Sequence, residues 1–241
     1  WRFDIDAIVE AAKDGARALV LVSPNNPTGA VATRDDYEKL AAGLNGTDVV
    51  LITDETYDRF TLDEEWSYES AAAVPGLKER TVVVGSYSKS FAMAGWRMGY
   101  LAAPASVIDE ALKLQDSMVI CAPVVSQIAL GAALSAEGLA SVEEGRLELR
   151  RRRETLRSIL SDSPGLAWRE PKGSFFVFLE LLEDKDDEKI AHTLLDEFLV
   201  ATLPGNAFGE AGNGHLRLSF GNVSCQRLEE AGKRIAAYFH R

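Results

Sequence analysis

The sequence predicts an α/β fold with a mostly parallel sheet, helices on both faces of that sheet, and a smaller α+β domain at the C-terminal end. Three short apolar runs, at 18–22, 49–52 and 82–84, are each followed by a polar loop and then a helical segment. This repeated order is typical of a parallel sheet covered by helices. Because the runs are apolar throughout rather than alternating, we expect all three strands to be buried, the third on both faces.

Helical periodicity surrounds and follows these strands. The first helix can be capped by Asp4 or Asp6. The helix predicted at 139–160 carries four consecutive arginines at 150–153 among several glutamates. This pattern predicts a solvent-exposed face with ion pairs rather than an anion site. The helices predicted in this part of the chain are 7–12, 35–44, 105–115, 126–134 and 139–160.

A break at 161–165, where the sequence reads SDSPG, separates the long helix from a smaller unit. The elements predicted for this unit are a strand at 174–179, a helix at 189–199, a glycine-rich turn at 203–214, a strand at 215–220 and a helix at 225–239. We therefore expect a large domain over residues 1–138, a long interdomain helix over 139–160 and a small C-terminal domain over 161–241.

Composition restricts the classes of function. The 241 residues include 26 Lys and Arg against 37 Asp and Glu, a formal net charge of −11. An acidic surface disfavours nucleic acid and acidic membranes as partners. The two cysteines, Cys121 and Cys225, match no metal or redox spacing, which favours a reducing compartment. No apolar run has transmembrane length and the first residues do not resemble a signal peptide, so we expect a cytoplasmic protein.

Polar side chains follow the carboxyl end of each predicted strand. The carboxyl ends of parallel strands lie along one edge of the sheet, where α/β proteins bind their ligands. A lysine can form a Schiff base with pyridoxal phosphate, an aspartate can keep a proton on the pyridine nitrogen, and hydroxyls with an arginine can hold the phosphate. The residues of these clusters are Asn26 after the first strand, Asp54 and Tyr57 after the second, and Ser86, Ser88, Lys89 and Arg97 after the third.

Each of these residues also has a purely structural interpretation. Asn26 is a common turn former, Asp54 could cap a helix, and Tyr57 could be a core aromatic. Lys89 and Arg97 could be solvated side chains of a polar loop. Taken one at a time, the residues leave both interpretations open.

Four segments, in this order along the chain, resemble the class I/II aminotransferases, which are fold-type I pyridoxal-phosphate enzymes. The segments read SPNNPTG, TDETY, SYSKSFAMAGWRMGY and HLRLSF, and together they extend over most of the chain. The resemblance implies that Lys89 is the catalytic Schiff-base lysine and that Asp54 is the partner of the pyridine nitrogen. It also implies that Asn26 and Tyr57 hydrogen-bond the ring hydroxyl oxygen, with Tyr57 counted among the catalytic residues.

The same resemblance assigns the anion-binding residues. Ser86 and Arg97 would bind the cofactor phosphate, with Ser88 as a further candidate. Arg217 would bind the substrate α-carboxylate, and Asn26 would lie beside it. An arginine between apolar neighbours in a strand needs such a role, although one partner of a surface ion pair is the alternative.

Members of this family are longer than 241 residues, and the resemblance implies that the N-terminal part is absent here. We therefore expect uncovered sheet edges and apolar surface, and weak cofactor binding by these residues alone. The resemblance further implies a homodimer, with contacts at 85–87 and 118–123.

The expected function is transfer of an amino group between an amino acid and a 2-oxo acid, with both classes of molecule as substrates. Two alternatives remain open. One is a carbon–sulfur β-lyase of the same fold, and the other is an aminotransferase-like sensor domain of a transcription regulator, whose DNA-binding module would precede this chain.

Overall fold

A computed structural model describes residues 1–63 and 68–240 of the chain. The strands are β1 (Ala18–Val22), β2 (Val50–Asp54), β3 (Thr81–Ser86), β4 (Gly99–Ala102), β5 (Leu166–Ala167), β6 (Phe176–Leu181), β7 (Leu203–Pro204) and β8 (His215–Ser219). The helices are α1 (Ile5–Lys13), α2 (Arg34–Gly43), α3 (Tyr87–Ser90), α4 (Ala105–Met118), α5 (Val124–Ala133), α6 (Ala136–Leu160), α7 (Asp187–Asp196) and α8 (Cys225–Phe239).

The first sheet has the strand order β1-β2-β3-β4. Strands β1, β2 and β3 are parallel, which confirms the prediction of a mostly parallel sheet. Strand β4 runs antiparallel to β3 and was not predicted, because its sequence, GYLA, is short and contains a glycine and an alanine. Its pairing depends on the turn that returns the chain beside β3.

Burial of the first strand differs from the prediction. Leu21 packs into a core formed with α1 and α2, but Val20, on the opposite face, is 70% exposed. The prediction of a fully buried β1 is therefore wrong: β1 is an edge strand, and the helices packed on it cover only one of its faces. The expectation of exposed apolar surface is confirmed here and at β4, whose residues are all exposed.

The second sheet is antiparallel, with the strand order β5-β6-β8-β7. Its central strands contribute the fully buried Val177, Leu179 and Leu216 to a continuous apolar core. Helices α6 and α8 pack against each other and place Leu156 and Ile235 in the same core. Helix α8 begins after Ser224, whose hydroxyl accepts a hydrogen bond from the Arg227 backbone, as expected for an N-cap.

Backbone contacts join the two sheets at Gly29 and Gly173. The Gly29 carbonyl accepts hydrogen bonds from the backbone N–H groups of Lys172 and Gly173, both at 2.9 Å. A Cβ atom on Gly29 would lie 2.4 Å from Pro171 Cβ, and Gly29 has a φ of +70°. The close approach therefore requires glycine, and it fixes the turn after β1 against the segment that precedes β6.

The arginine run of α6 has one member that contradicts the predicted exposed face. Arg151 is exposed and pairs with Glu148, as expected. Arg153 is only 3% exposed and lies 2.8 Å from Asp63 and 3.0 Å from Glu170. Burial alone would raise the pKa of Asp63, but hydrogen bonds from Arg153 and Lys172 outweigh it and lower that pKa. Arg153 therefore joins α6 to the loop that follows β2.

Among residues 1–63 and 68–240, no single helix is long and apolar enough to cross a membrane. Helices α5 and α6 meet that length and composition criterion only when taken together, and they are bent by 75° relative to each other. The described part of the chain also contains no cluster of His, Cys, Asp and Glu side chains suited to a metal ion.

Candidate active site

The carboxyl ends of the three parallel strands lie side by side. Val22, Asp54 and Val84 are in register across β1, β2 and β3. The pairing continues past the strand ends, because the Ser23 N–H donates to the Asp54 carbonyl at 3.1 Å and the Glu55 N–H donates to the Val84 carbonyl at 2.8 Å. The three polar loops predicted to form the site therefore start from one edge of the sheet.

The Asp54 carboxylate is held in place by the residue two positions later. Its Oδ1 atom accepts hydrogen bonds from the Thr56 backbone N–H at 3.0 Å and from the Thr56 hydroxyl at 2.6 Å. No described residue donates to Oδ2. One carboxylate oxygen is thus fixed by the loop while the other is free to accept a hydrogen bond from a bound molecule.

Arg217 on β8 reaches the turn after β1. Its Nη1 atom donates to Asn26 Oδ1 at 2.9 Å. Its guanidinium lies over the ring of Phe176 at 4.4 Å and near the ring of Phe208 at 5.0 Å, in cation–π geometry. Among the described residues, Arg217 has no carboxylate within ion-pair distance, so the surface ion pair considered from the sequence is not formed. An arginine without an acidic partner can bind a carboxylate ligand in a bidentate manner, donating two parallel hydrogen bonds.

Tyr57 lies within the electrostatic influence of both Asp54 and Arg217. It is 6% exposed, and its ring meets Phe175 and Phe176 edge-on at 5.4 and 6.0 Å. Burial raises the pKa of its hydroxyl, the charge of Asp54 raises it further, and the charge of Arg217 opposes both. No hydrogen bond to that hydroxyl is found within the described part of the chain. The core-aromatic interpretation therefore describes the ring, while the polar end remains available.

Lys89 lies on α3, a single helical turn that begins directly after β3. Ser86 caps this turn, because its Oγ atom accepts a hydrogen bond from the Ser88 backbone N–H at 3.1 Å. Lys89 lines a cavity of about 400 Å³ together with Phe60, Phe91 and Phe175. The opposite wall of that cavity comes from the first half of α6.

Arg97 ends the following turn in the left-handed region, at a φ of +53°. It is exposed, and its Nη1 atom donates to the Ala94 carbonyl at 2.8 Å. Its backbone conformation is uncommon for a residue other than glycine, and such residues concentrate at functional sites.

The structure brings some of the predicted residues together and leaves others apart. Asn26, Asp54, Tyr57 and Arg217 form one group, linked by the Asn26–Arg217 hydrogen bond and by the electrostatic influence of Asp54 and Arg217 on Tyr57. We call these four residues the Arg217 cluster. Lys89 lines the cavity described above, and neither Asp54 nor Arg97 is among the residues lining it.

Sequence reasoning missed Thr56 and Phe208. A threonine two residues after an aspartate at a strand end is a known pattern for a side-chain turn, so Thr56 could have been predicted. Phe208 lies in a glycine-rich loop, and only the pairing of β7 with β8 shows that it reaches Arg217.

Comparison with known proteins identifies the family. The family model described as aminotransferase class I and II matches residues 1–235. The chain belongs to this family. Aminotransferases of class I and II depend on pyridoxal phosphate, and the free Asp54 oxygen, the Tyr57 hydroxyl and the Arg217 guanidinium form a donor and acceptor set that fits that cofactor and an amino-acid carboxylate.

Several relatives are similar over nearly the whole chain. A putative aminotransferase, YugH, from Bacillus subtilis is 37% identical over 96% of this chain and 59% of its own length. An aspartate aminotransferase from Pyrococcus abyssi is 36% identical over 98% of this chain and 60% of its own. The structure of an aromatic aminotransferase from Pyrococcus horikoshii OT3 is 36% identical and superimposes with a TM-score of 0.91, covering 99% of this chain and 64% of that one. The chain therefore spans about 60% of the length of the curated relatives it matches.

Proposed function

We propose that the protein carrying this chain is a pyridoxal-phosphate-dependent aminotransferase that moves an amino group between an amino acid and a 2-oxo acid. The observation that carries this proposal is the position of Arg217. It lies 2.9 Å from Asn26, beside Tyr57, at the sheet edge where Asp54 presents an unengaged carboxylate oxygen. An arginine that binds a carboxylate next to an aspartate that binds a ring nitrogen is the arrangement that amino-acid chemistry on this cofactor requires.

The residues that would hold the cofactor come from all three strand ends. Asp54 would accept a hydrogen bond from the ring nitrogen, and its negative charge there favours the protonated ring. Tyr57 and Asn26 would hydrogen-bond the ring hydroxyl oxygen. The residues proposed for the phosphate are Ser86, Ser88 and Arg97.

Pyridoxal phosphate, when bound, supplies a reactive aldehyde carbon and a ring that withdraws electrons from the substrate α-carbon. Lys89 would bind that carbon covalently between turnovers. With its amine free, Lys89 would accept the proton from the substrate α-carbon and would deliver that proton to the former aldehyde carbon. Its place on a capped turn beside an apolar cavity limits the positions that this amine can take.

Arg217 would orient the substrate. Its guanidinium is partly covered by the rings of Phe176 and Phe208, and partial burial lowers its pKa. An arginine still remains protonated at neutral pH, so it presents a fixed positive charge in a partly dry site. A substrate carboxylate bound there would direct the α-carbon toward the sheet edge.

The test is turnover of the protein carrying this chain with a panel of amino acids and 2-oxo acid acceptors. Lys89→Ala should lower kcat by about 10²–10⁴-fold or more, whereas Lys233→Ala, which removes an exposed lysine paired with Glu229, should leave kcat unchanged. Ordinary turnover in Lys89→Ala would refute the mechanism.

The products separate the alternatives. A transaminase needs a 2-oxo acid acceptor and returns an aminated product. Release of pyruvate and ammonia without an acceptor would identify the β-lyase instead. Cofactor binding with no turnover, together with a basic DNA-binding segment before Trp1, would identify the sensor domain.

We also propose that this protein works as a homodimer. The junction of α4 and α5 supports this proposal, because Met118 at the end of α4, Ile120 in the connection and Val124 at the start of α5 expose large apolar side chains. Sedimentation analysis should give twice the protomer mass, and Met118→Asp should weaken the association. A monomer at micromolar concentration would contradict the proposal.

A further inference from the structure

A hydrogen bond joins the loop after β2 to the turn after β3. The Ser90 hydroxyl donates to Asp58 Oδ1 at 3.2 Å. Ser90 is the last residue of α3 and directly follows Lys89, while Asp58 directly follows Tyr57. The bond therefore connects the segment that carries the proposed reactive amine to the segment that carries two members of the Arg217 cluster.

We propose that Asp58 and Ser90 are positioning residues that set where the Lys89 amine lies relative to Asp54 and Tyr57. This inference rests on the proposed function, because it assigns Asp58 and Ser90 a role through Lys89. Neither residue is placed in contact with substrate or cofactor. We call the Asp58–Ser90 hydrogen bond the latch.

The turn that carries Lys89 needs support from outside itself. Helix α3 has four residues, and a helix of one turn is not stable through its own hydrogen bonds. Its first residues are held by the Ser86 cap and by a hydrogen bond from the Tyr87 backbone N–H to the Met98 carbonyl at 3.2 Å. At its end, Ala92 has a φ of +52°, so the helix cannot continue. The latch is a side-chain hydrogen bond at this second end, formed with a residue outside the turn.

The acceptor of the latch is itself well fixed. Asp58 Oδ1 also accepts the Arg59 backbone N–H at 2.8 Å, and Oδ2 lies 3.6 Å from Arg59 Nε. Burial raises the pKa of Asp58, and Arg59 and Ser90 oppose that rise. Ser90 is 5% exposed, so water has little access to replace it.

The latch affects the reaction through the position of the Lys89 amine. A shift of about 1 Å in a reacting group can lower a rate by as much as a hundredfold, even when the altered residue does not touch the substrate. Loss of the latch should therefore reduce kcat and leave substrate affinity, which depends on Arg217, nearly unchanged.

The experiment compares Ser90→Ala, Asp58→Ala, the double variant and Ser90→Thr in the protein carrying this chain. The matched control is Ser163→Ala, which also removes a buried hydroxyl and its hydrogen bond. That hydroxyl donates to the Ile159 carbonyl, near the core of the second sheet. Two quantities are measured: kcat and KM for an amino donor, and amide hydrogen exchange of residues 87–92 in the cofactor-free protein.

Each single variant should lower kcat about tenfold, with KM changed by less than about twofold, and should speed amide exchange in residues 87–92. The double variant should be no worse than Asp58→Ala alone, because Ser90→Ala removes a bond that Asp58→Ala has already removed. Ser90→Thr keeps the hydroxyl and should restore both quantities. Ser163→Ala should change neither.

The inference is overturned by exchange and kcat in Ser90→Ala that match the Ser163→Ala control, or by additive losses in the double variant. These results differ from failure of the proposed function, which would appear as turnover retained by Lys89→Ala. Faster exchange in Ser90→Ala with unchanged kcat would also overturn the inference, since the latch would then stabilise the turn without placing the amine.

Discussion

The central strands of the sheet formed by β5 to β8 pack into one continuous core, whereas the sheet formed by β1 to β4 has a core on one face and exposes apolar side chains of its edge strands. In β6, Leu179 is fully buried, and α6 and α8 cover the same core. In β4, Leu101 is 41% exposed, and Val20 on the other edge strand is more exposed still. The same kind of apolar side chain therefore contributes differently to stability in the two sheets.

This difference teaches how the candidate site is supported. Arg217 lies on the enclosed sheet, Asp54 is the last residue of β2 in the open one, and Lys89 lies on α3, which directly follows β3 of the open sheet. Their relative placement depends on the contacts between the sheets, which include the Gly29 backbone hydrogen bonds, the Asn26–Arg217 hydrogen bond and the buried Arg153. Substitutions in each sheet and at their junction should show whether the comparison holds.

The largest expected effect comes from leucine truncation in the enclosed sheet. Leu179→Ala should lower the free energy of unfolding of this chain by about 3–5 kcal/mol, because it leaves a cavity among side chains that cannot collapse. Leu101→Ala should cost about 1 kcal/mol or less, since its side chain already meets solvent. Urea unfolding followed by circular dichroism measures both. Equal losses would show that the two sheets are equally packed.

The next effect concerns the buried charge between the sheets. Arg153→Met should cost about 3 kcal/mol, because it removes the buried cation that Asp63 and Glu170 share and leaves them only their less buried partners, Lys172 and Arg157. Arg151→Met removes an exposed arginine of the same helix that pairs with Glu148 and should cost less than about 1 kcal/mol. The same unfolding measurement applies. If Arg151→Met were the more harmful change, the contact between α6 and the β2 loop would not be the stabilising one.

A smaller effect is expected at the glycine junction. Gly29→Ala combines a positive φ with a clash against Pro171 and should cost about 2–4 kcal/mol. Gly46→Ala is the matched control, because Gly46 also has a positive φ but meets nothing within 4 Å, so it should cost only about 1 kcal/mol. In the protein carrying this chain, Gly29→Ala should also raise KM for the amino donor, since Asn26 would shift relative to Arg217. Identical costs for the two glycines would show that crowding at the junction is unimportant.

Much of the fold could be predicted from the sequence, but the edges of the sheets could not. The strand Ala18–Val22 and the helix Cys225–Phe239 have the predicted bounds, because an apolar run and an amphipathic pattern with a serine cap are local signals. The burial of β1 and the existence of β4 depend on which neighbours each strand finds. A local pattern does not contain that information.

The candidate site also has residues that could be predicted from the sequence and residues that could not. The positions of Asn26, Asp54 and Lys89 follow from strand ends that a sequence reveals. The contact between Asp58 and Ser90 could not be predicted, because it depends on the register of β2 against β3 and on the course of two loops. The burial of Arg153 was missed because its neighbours in the sequence are charged residues and its partners Asp63 and Glu170 are distant along the chain.

The smallest predicted effect is a difference in pH dependence between two carboxylates. The pKa of Asp63 is lowered by Arg153 and Lys172 in spite of burial, so its ion pair stabilises the fold above the unfolded-state pKa and is lost as pH falls through the folded-state value. Asp63→Asn should therefore be less stable than the parent at pH 7, with the gap narrowing in acid.

Glu55, which directly follows β2, has a pKa shifted in the opposite direction. Burial raises its pKa, although Ser70, Tyr68 and Thr53 oppose the rise through hydrogen bonds. The folded state therefore holds its proton more tightly, and ionisation costs stability as pH rises from the unfolded-state to the folded-state value. Glu55→Gln keeps an acceptor for Thr53 and should be neutral or stabilising at pH 7, with the advantage vanishing in acid. Thermal unfolding between pH 4 and pH 8 measures both variants, and slopes of the same sign would contradict the assignment of opposite pKa shifts to the junction and the open sheet.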